Sequence, residues 1–215
     1  MFRCLRWGII FTTLFCVGCA SLSGVKEKTV EDRLNDPQFR EENLPIRTLR
    51  VAVIVSGFES DEHVRGAFSR ASEIFETQTG IRFAVTIYRE PEWKTHSFFQ
   101  IHPVLREFRK THLEYDIIVG ASLRFPRKDQ WCFLGTCYDG MIDDGRNIAI
   151  LQLVPTTIVH EVGHAFLGIW HSTSGIMTPS VESAYFTHGD RKKILRRKWK
   201  SFHYEAPKEF WDSGY

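Results

Sequence analysis

His160-Glu161-Val162-Gly163-His164-Ala165-Phe166-Leu167-Gly168-Ile169-Trp170-His171 is the stretch that decides how this 215-residue chain is read. On a helix, positions i and i+4 share a face, so His160 and His164 can hold one metal ion between them. Glu161 lies about 100° round from His160, near enough to set a carboxylate beside a water on that ion. Ile158, Val162, Ala165 and Phe166 fall on the opposite side, at roughly 140–240° from His160. The spacing predicts a helix with core on one face and chemistry on the other, whereas a solvated helix with two idle histidines would need no such apolar back.

The residues that follow extend the pattern. Gly168 suits a helix stop in the left-handed conformation, and a histidine three residues past it can swing back towards the helical pair. Three imidazoles leave a tetrahedral zinc one open position for water, as in catalytic rather than structural sites. Ser172-Thr173-Ser174-Gly175-Ile176-Met177-Thr178-Pro179 comes next. Together these stretches resemble the metzincins, the metallopeptidase clan with H-E-x-x-H-x-x-G-x-x-H followed by a Met-turn. The resemblance, to a matrixin-like or archaemetzincin-like minimal catalytic domain, implies Zn(2+) as cofactor, with His160, His164 and His171 as ligands. It further implies Glu161 as general base, Met177 beneath the site, and a zinc-dependent endopeptidase acting on peptide or protein substrates.

One departure from the pattern stands out. The glycine and third histidine fall four and seven residues after His164, where the family has three and six. The Gly168-x-x-His171 unit is intact, so the helix end is expected to absorb the extra residue as a wide or π-type last turn. Glu182, in the range where gluzincins place a ligand carboxylate, is the rival third ligand. Tyr185 reads either as core or as an oxyanion donor or fifth ligand, although family members with a ligand tyrosine place it where this chain has Pro179. His188 is a further candidate for the cleft. The alternative function is a non-catalytic binding or structural lipoprotein on the same scaffold, its metal only stabilising.

Residues 1–18 read as an export signal: Arg3 and Arg6 form a positive start, and Gly8 to Gly18 is an apolar run too short to span a membrane permanently. Val17-Gly18-Cys19-Ala20 resembles a bacterial lipobox, which implies lipidation of Cys19 and a membrane anchor, with release into the periplasm or medium as the alternative. Ala20 is not the aspartate that retains such proteins at an inner membrane, so an outer membrane is expected. Loss of the signal leaves 197 residues, suited to one domain, with 26 basic and 26 acidic side chains. That balance excludes nucleic acid as an expected partner; a monomer is expected. In oxidising surroundings Cys132 and Cys137 are expected to form a disulfide pinning a small loop, two thiolates alone being too few for a second metal site.

Residues 19–47 read as a polar tether, with propeptide-like coverage of the cleft as the other reading, and 204–215 as a tail. The domain expected over 48–203 opens with a buried strand at Leu49–Val55. A helix over Asp61 to Thr79 follows, stopped by Gly80, then an alternating strand from Ile81 to Tyr88. A helix is predicted from Pro103, favoured at a first helical position, to His112, and a short strand over Asp116–Gly120. This order favours an α/β sheet with right-handed crossovers. Residues 121–146 read as a long functional loop. Asn147 to Leu153 reads as a strand and Pro155 as the start of the metal-site helix. By resemblance the fold is a twisted mixed sheet with an antiparallel edge strand, taken to be the strand before that helix, which binds extended peptide. Thr187-His188-Gly189-Asp190 is a capping-box variant opening a last helix. Leu195, Trp199 and Phe202 form its expected inner stripe, and Arg191 to Lys200 a solvated basic face or an anionic-membrane contact. His63, His96, His102, His112 and His203 read as ordinary surface or cap residues.

Overall fold

Two faces of apolar side chains along one strand set the architecture. In β1 (Arg47–Ser56), Leu49, Val51, Val53 and Val55 point one way and Ala52 and Ile54 the other, all nearly inaccessible to water. The computed structural model describes residues 30–56, 59–90, 98–122, 132–133, 136–137, 140–143, 145, 147–181 and 183–202. Cys19 and residues 1–18, His96, Glu182, His203 and the tail at 204–215 lie outside them. Among the described residues no helix is long and apolar enough to cross a membrane.

The helix α2 (Asp61–Thr79) has the predicted limits. The Ser60 hydroxyl accepts the His63 N–H, and Gly80 ends it at φ 67°. It leads to β2 (Ile81–Glu90), parallel to β1. After α3 (Phe98–Thr111) the chain returns on the other side of β1 as β3 (Ile117–Ser122), also parallel. The two crossover helices cover opposite faces, as a constant crossover hand requires when the direction of travel reverses. Leu49, Val51, Val53 and Val55 pack with α2 and the metal-site helix, while Ala52, Ile54, Ile118, Ile148 and Ile150 pack with Ile101 and Leu105 of α3. That packing also explains why α3 begins five residues before Pro103: Ile101, in the extra turn, is 2% exposed against the sheet.

The long segment expected as a loop is partly strand. β4 (Cys132–Phe133) and β5 (Thr136–Cys137) form a two-stranded ladder in which the two cysteines are directly opposed. Their side chains lie outside the described residues, and with them the expected disulfide. β6 (Gly140–Asp143) then pairs antiparallel with β7 (Ile148–Gln152), giving a mixed five-stranded sheet in the order β2-β1-β3-β7-β6. The antiparallel edge strand is therefore β6. The strand before the metal-site helix, β7, is internal and parallel to β3, as its continuous buried run Ile148–Leu151 fits.

The tether reading fails from Val30 onward. A short 3₁₀ turn at Val30–Arg33 and α1 (Pro37–Glu41) dock on the domain, with Val30 and Phe39 each 1% exposed and the Val30 N–H bonded to the Phe186 carbonyl at 3.0 Å. The docking depends on a residue assigned to the solvated basic face. Arg191, on the last helix α5 (His188–Arg196), is buried: its guanidinium donates to the carbonyls of Phe39 and Gln78 and to the Asn43 amide, and lies over the Phe39 ring. Lys198 is also buried, its ammonium donating to the Asn43 carbonyl. The inner side of α5 is thus Asp190, Arg191 and Ile194, joined from beyond the helix end by Lys198 and Phe202, while Trp199 is 62% exposed and Leu195 half-buried. Helix periodicity put the stripe out of register because α5 ends at Arg196, before Trp199.

Candidate metal centre

α4 (Pro155–Leu167) carries the site. Pro155 takes the first helical position, where no N–H is required, and Ile158, Val159, Val162, Ala165 and Phe166 bury the helix against the sheet and α2. At the far end the Gly168 N–H bonds to the His164 carbonyl at 2.7 Å, an ordinary i→i−4 bond, so the expected π-type turn is not how the extra residue is taken up. The helix stays regular, and Gly168 leaves it at φ 77°, ψ −167°, a conformation open essentially to glycine alone. Two more orphan carbonyls of the last turn are satisfied from the basic segment: Arg197 donates to Phe166 at 2.7 Å and Lys200 to Ala165 at 3.1 Å.

His160, His164 and His171 come together, with one ligand nitrogen from each lying within 4.8 Å of the other two. The Nδ1 of His160 donates to the Ile176 carbonyl and that of His164 to the Gly168 carbonyl, each at 2.7 Å. A carbonyl only accepts, so both rings carry their proton on Nδ1 and turn a lone pair outward from Nε2. Those two Nε2 atoms are 3.0 Å apart, close to the ~3.3 Å expected of two nitrogens on one tetrahedral zinc. Two facing lone pairs favour a cation between them. Burial holds the His164 imidazole down to about 4 and lowers that of His160, so both stay neutral, the form that binds metal. The donor set therefore fits zinc, with three neutral nitrogens and room for a fourth ligand.

Glu161 is 4% exposed and lines the same cleft as the three histidines. Burial pushes its carboxyl up to about 8 in the metal-free chain; a cation alongside opposes that shift. Two glycines make close approaches that a side chain would prevent. A Cβ on Gly140 would stand 2.5 Å from a Glu161 carboxylate oxygen, so the first residue of the edge strand fits the catalytic candidate only as glycine. A Cβ on Gly163 would stand 2.7 Å from the sulfur of the wholly buried Met177 and 3.3 Å from the Phe186 ring. Met177 thus lies under the helix as expected, and the turn around it also supplies the Ile176 carbonyl that orients His160.

The cleft has a volume of about 150 Å³, and its apolar lining comes from Met141 and Ile142 of β6 and from Ile169, Pro179 and Val181. Val181 holds φ 48°, costly for a β-branched residue and a feature no sequence pattern announces. None of residues 30–47 lines this cleft, and the rest of the segment read as tether or lid, 19–29, lies outside the described residues. Tyr185 is placed elsewhere, in a depression with Arg70, Ile74 and Gln78 of α2. His188 meets Arg33 rather than the imidazoles. His102, read as ordinary, bonds Asp143 at 3.1 Å and ties α3 to the edge strand, while His112 stacks on Phe108.

No family model matches the sequence, and no curated protein matches it. Solved structures do. Archaemetzincin from Methanopyrus kandleri superposes with a TM-score of 0.50 at 16% identity, over 70% of this chain and 94% of that one. A zinc-dependent peptidase from Methanocorpusculum labreanum gives 0.45 at 14% identity, over 67% and 99%. At such identity the likeness is one of fold alone: the mixed five-stranded sheet with an antiparallel edge is similar to that of archaemetzincin.

Proposed function

We propose that the chain is a zinc-dependent endopeptidase in which His160, His164 and His171 hold the metal and Glu161 is the general base. The observation that carries the reading is the convergence of three imidazoles and one buried carboxylate on a single cleft beneath the edge of the sheet. Zinc bound there supplies Lewis acidity, polarising a peptide carbonyl and lowering the pKa of water towards ~7. The Nδ1 bonds to Ile176 and Gly168 fix the orientation of two ligands and make them better donors. Glu161 Oε takes the proton that water gives up and delivers it to the departing amine. β6, outermost in the sheet among the described residues, would offer its outer edge to an extended substrate, which would add as a further strand across Glu161.

The test is Glu161→Gln in the purified protein, read by zinc content and by cleavage of a mixed peptide library. The variant should keep one zinc per chain and lose about 10²–10⁴ of the wild-type rate, the usual share of a general base. Cleavage at the wild-type rate would remove Glu161 from the reaction, and a wild type that holds zinc yet cleaves nothing would reduce the protein to a binding module.

A further inference from the structure

The three imidazoles are not held alike. His160 and His164 ride on a buried helix and each is locked by an Nδ1 bond, but His171 is exposed and lies in the loop beyond Gly168. Among the described residues none hydrogen-bonds its ring. Beyond its ring contacts with His160 and His164, its place rests on the backbone on either side. Before it stands the Gly168 cap, and after it Ser172 is tied twice. The Ser172 N–H bonds to the Met177 carbonyl at 3.0 Å, and its hydroxyl donates to Asp190 Oδ2 at 2.6 Å, eighteen residues away on α5.

Asp190 is well built for that role. It is 3% exposed, and the same Oδ2 accepts the Thr187 hydroxyl at 2.8 Å. Thr187 Oγ1 in turn accepts the Asp190 N–H at 3.0 Å as the helix cap. The carboxylate also sits in the first turn of α5, where the helix dipole favours a negative charge. A short, charge-assisted hydrogen bond from such a fixed acceptor is stronger than a neutral one. Taking the zinc reading above as given, we infer that Asp190 is a positioning residue for the third imidazole, acting through the Ser172 hydroxyl.

A cap alone would make Asp190 matter only for stability, so the measurement is zinc affinity, by chelator competition on the full chain with zinc as the sole probe. Ser172→Ala leaves the Thr187–Asp190 cap intact and should weaken zinc by about 10-fold or more, the usual cost of losing a group that orients a ligand. Ser172→Thr should restore it. Thr187→Ala should lower Tm while binding zinc nearly as the wild type does. In a His171→Ala background Ser172→Ala should cost nothing further, because its effect passes through that ring. Wild-type affinity in Ser172→Ala, or an equal loss with His171 already removed, overturns the proposal while leaving the zinc reading standing. A wild type that takes up no zinc overturns both, and shows itself in the first titration.

Discussion

The metal centre has two halves built by different means. His160, Glu161 and His164 lie within one helical turn and a half, and α4 alone fixes their spacing. His171, Gly140 and Met177 reach the same point from a loop, an edge strand and a turn, and depend on contacts made by distant parts of the chain. The first half needs only a formed helix, whereas the second requires the whole domain. Damage to the second half should therefore be graded and specific, leaving α4 in place.

The sharpest way to separate the halves is Gly140→Ala. The atoms a Cβ would strike belong to the flexible end of Glu161, so the fold can yield by turning the carboxylate aside. Zinc content should stay at one per chain while kcat falls by about 10-fold to 100-fold, part of what a general base contributes. Unchanged kcat would show that the edge strand does not set the position of Glu161, and loss of zinc would show that it supports the ligands instead.

The helical half can be probed by pH in the metal-free protein. His164 titrates near 4 in the fold against an ordinary 6.5, so the unfolded chain binds the extra proton, and stability should fall as pH drops below about 6.5 and level off under about 4. Glu161 titrates near 8 against 4.5, so the folded chain binds the extra proton, and stability should fall as pH rises from about 4.5 and level off above about 8. Urea midpoints between pH 4 and 8.5 should lose the acid decline in His164→Gln and the alkaline decline in Glu161→Gln. Parallel curves for all three proteins would mean that these groups are solvated in the metal-free state.

How much of this was legible follows the same division. The limits of α2, the start of α4, the capping residue Thr187 and the sides of α4 could be read because each depends on neighbours within a few residues. Local pattern misassigned Arg191 and Lys198, since a buried cation next to solvated ones differs only in the carbonyls it meets, here from residues 39, 43 and 78. It missed β6, four residues in a long loop whose only mark is their pairing with β7. Neither the Gly140–Glu161 contact nor the Ser172–Asp190 bond leaves a trace in periodicity, although the Ser172 hydroxyl directly after His171 and the acid in the capping box were both on view.

The smallest effect is expected beneath the site. Met177 packs against Gly163 and donates nothing to the metal, so Met177→Leu should change stability by less than about 1.5 kcal/mol and leave zinc affinity nearly intact. A large loss of zinc would mean that the floor of the site, and not only its ligands, sets the geometry.

Whether the halves form one centre is tested most directly by zinc occupancy of His171→Ala and Glu182→Gln measured side by side with His164→Ala. A binding energy of ~10–16 kcal/mol spread over four ligands makes each protein ligand worth roughly a hundredfold or more in affinity. The account predicts that His171→Ala loses zinc nearly as His164→Ala does, while Glu182→Gln retains it. Zinc retained in His171→Ala and stripped from Glu182→Gln would contradict it.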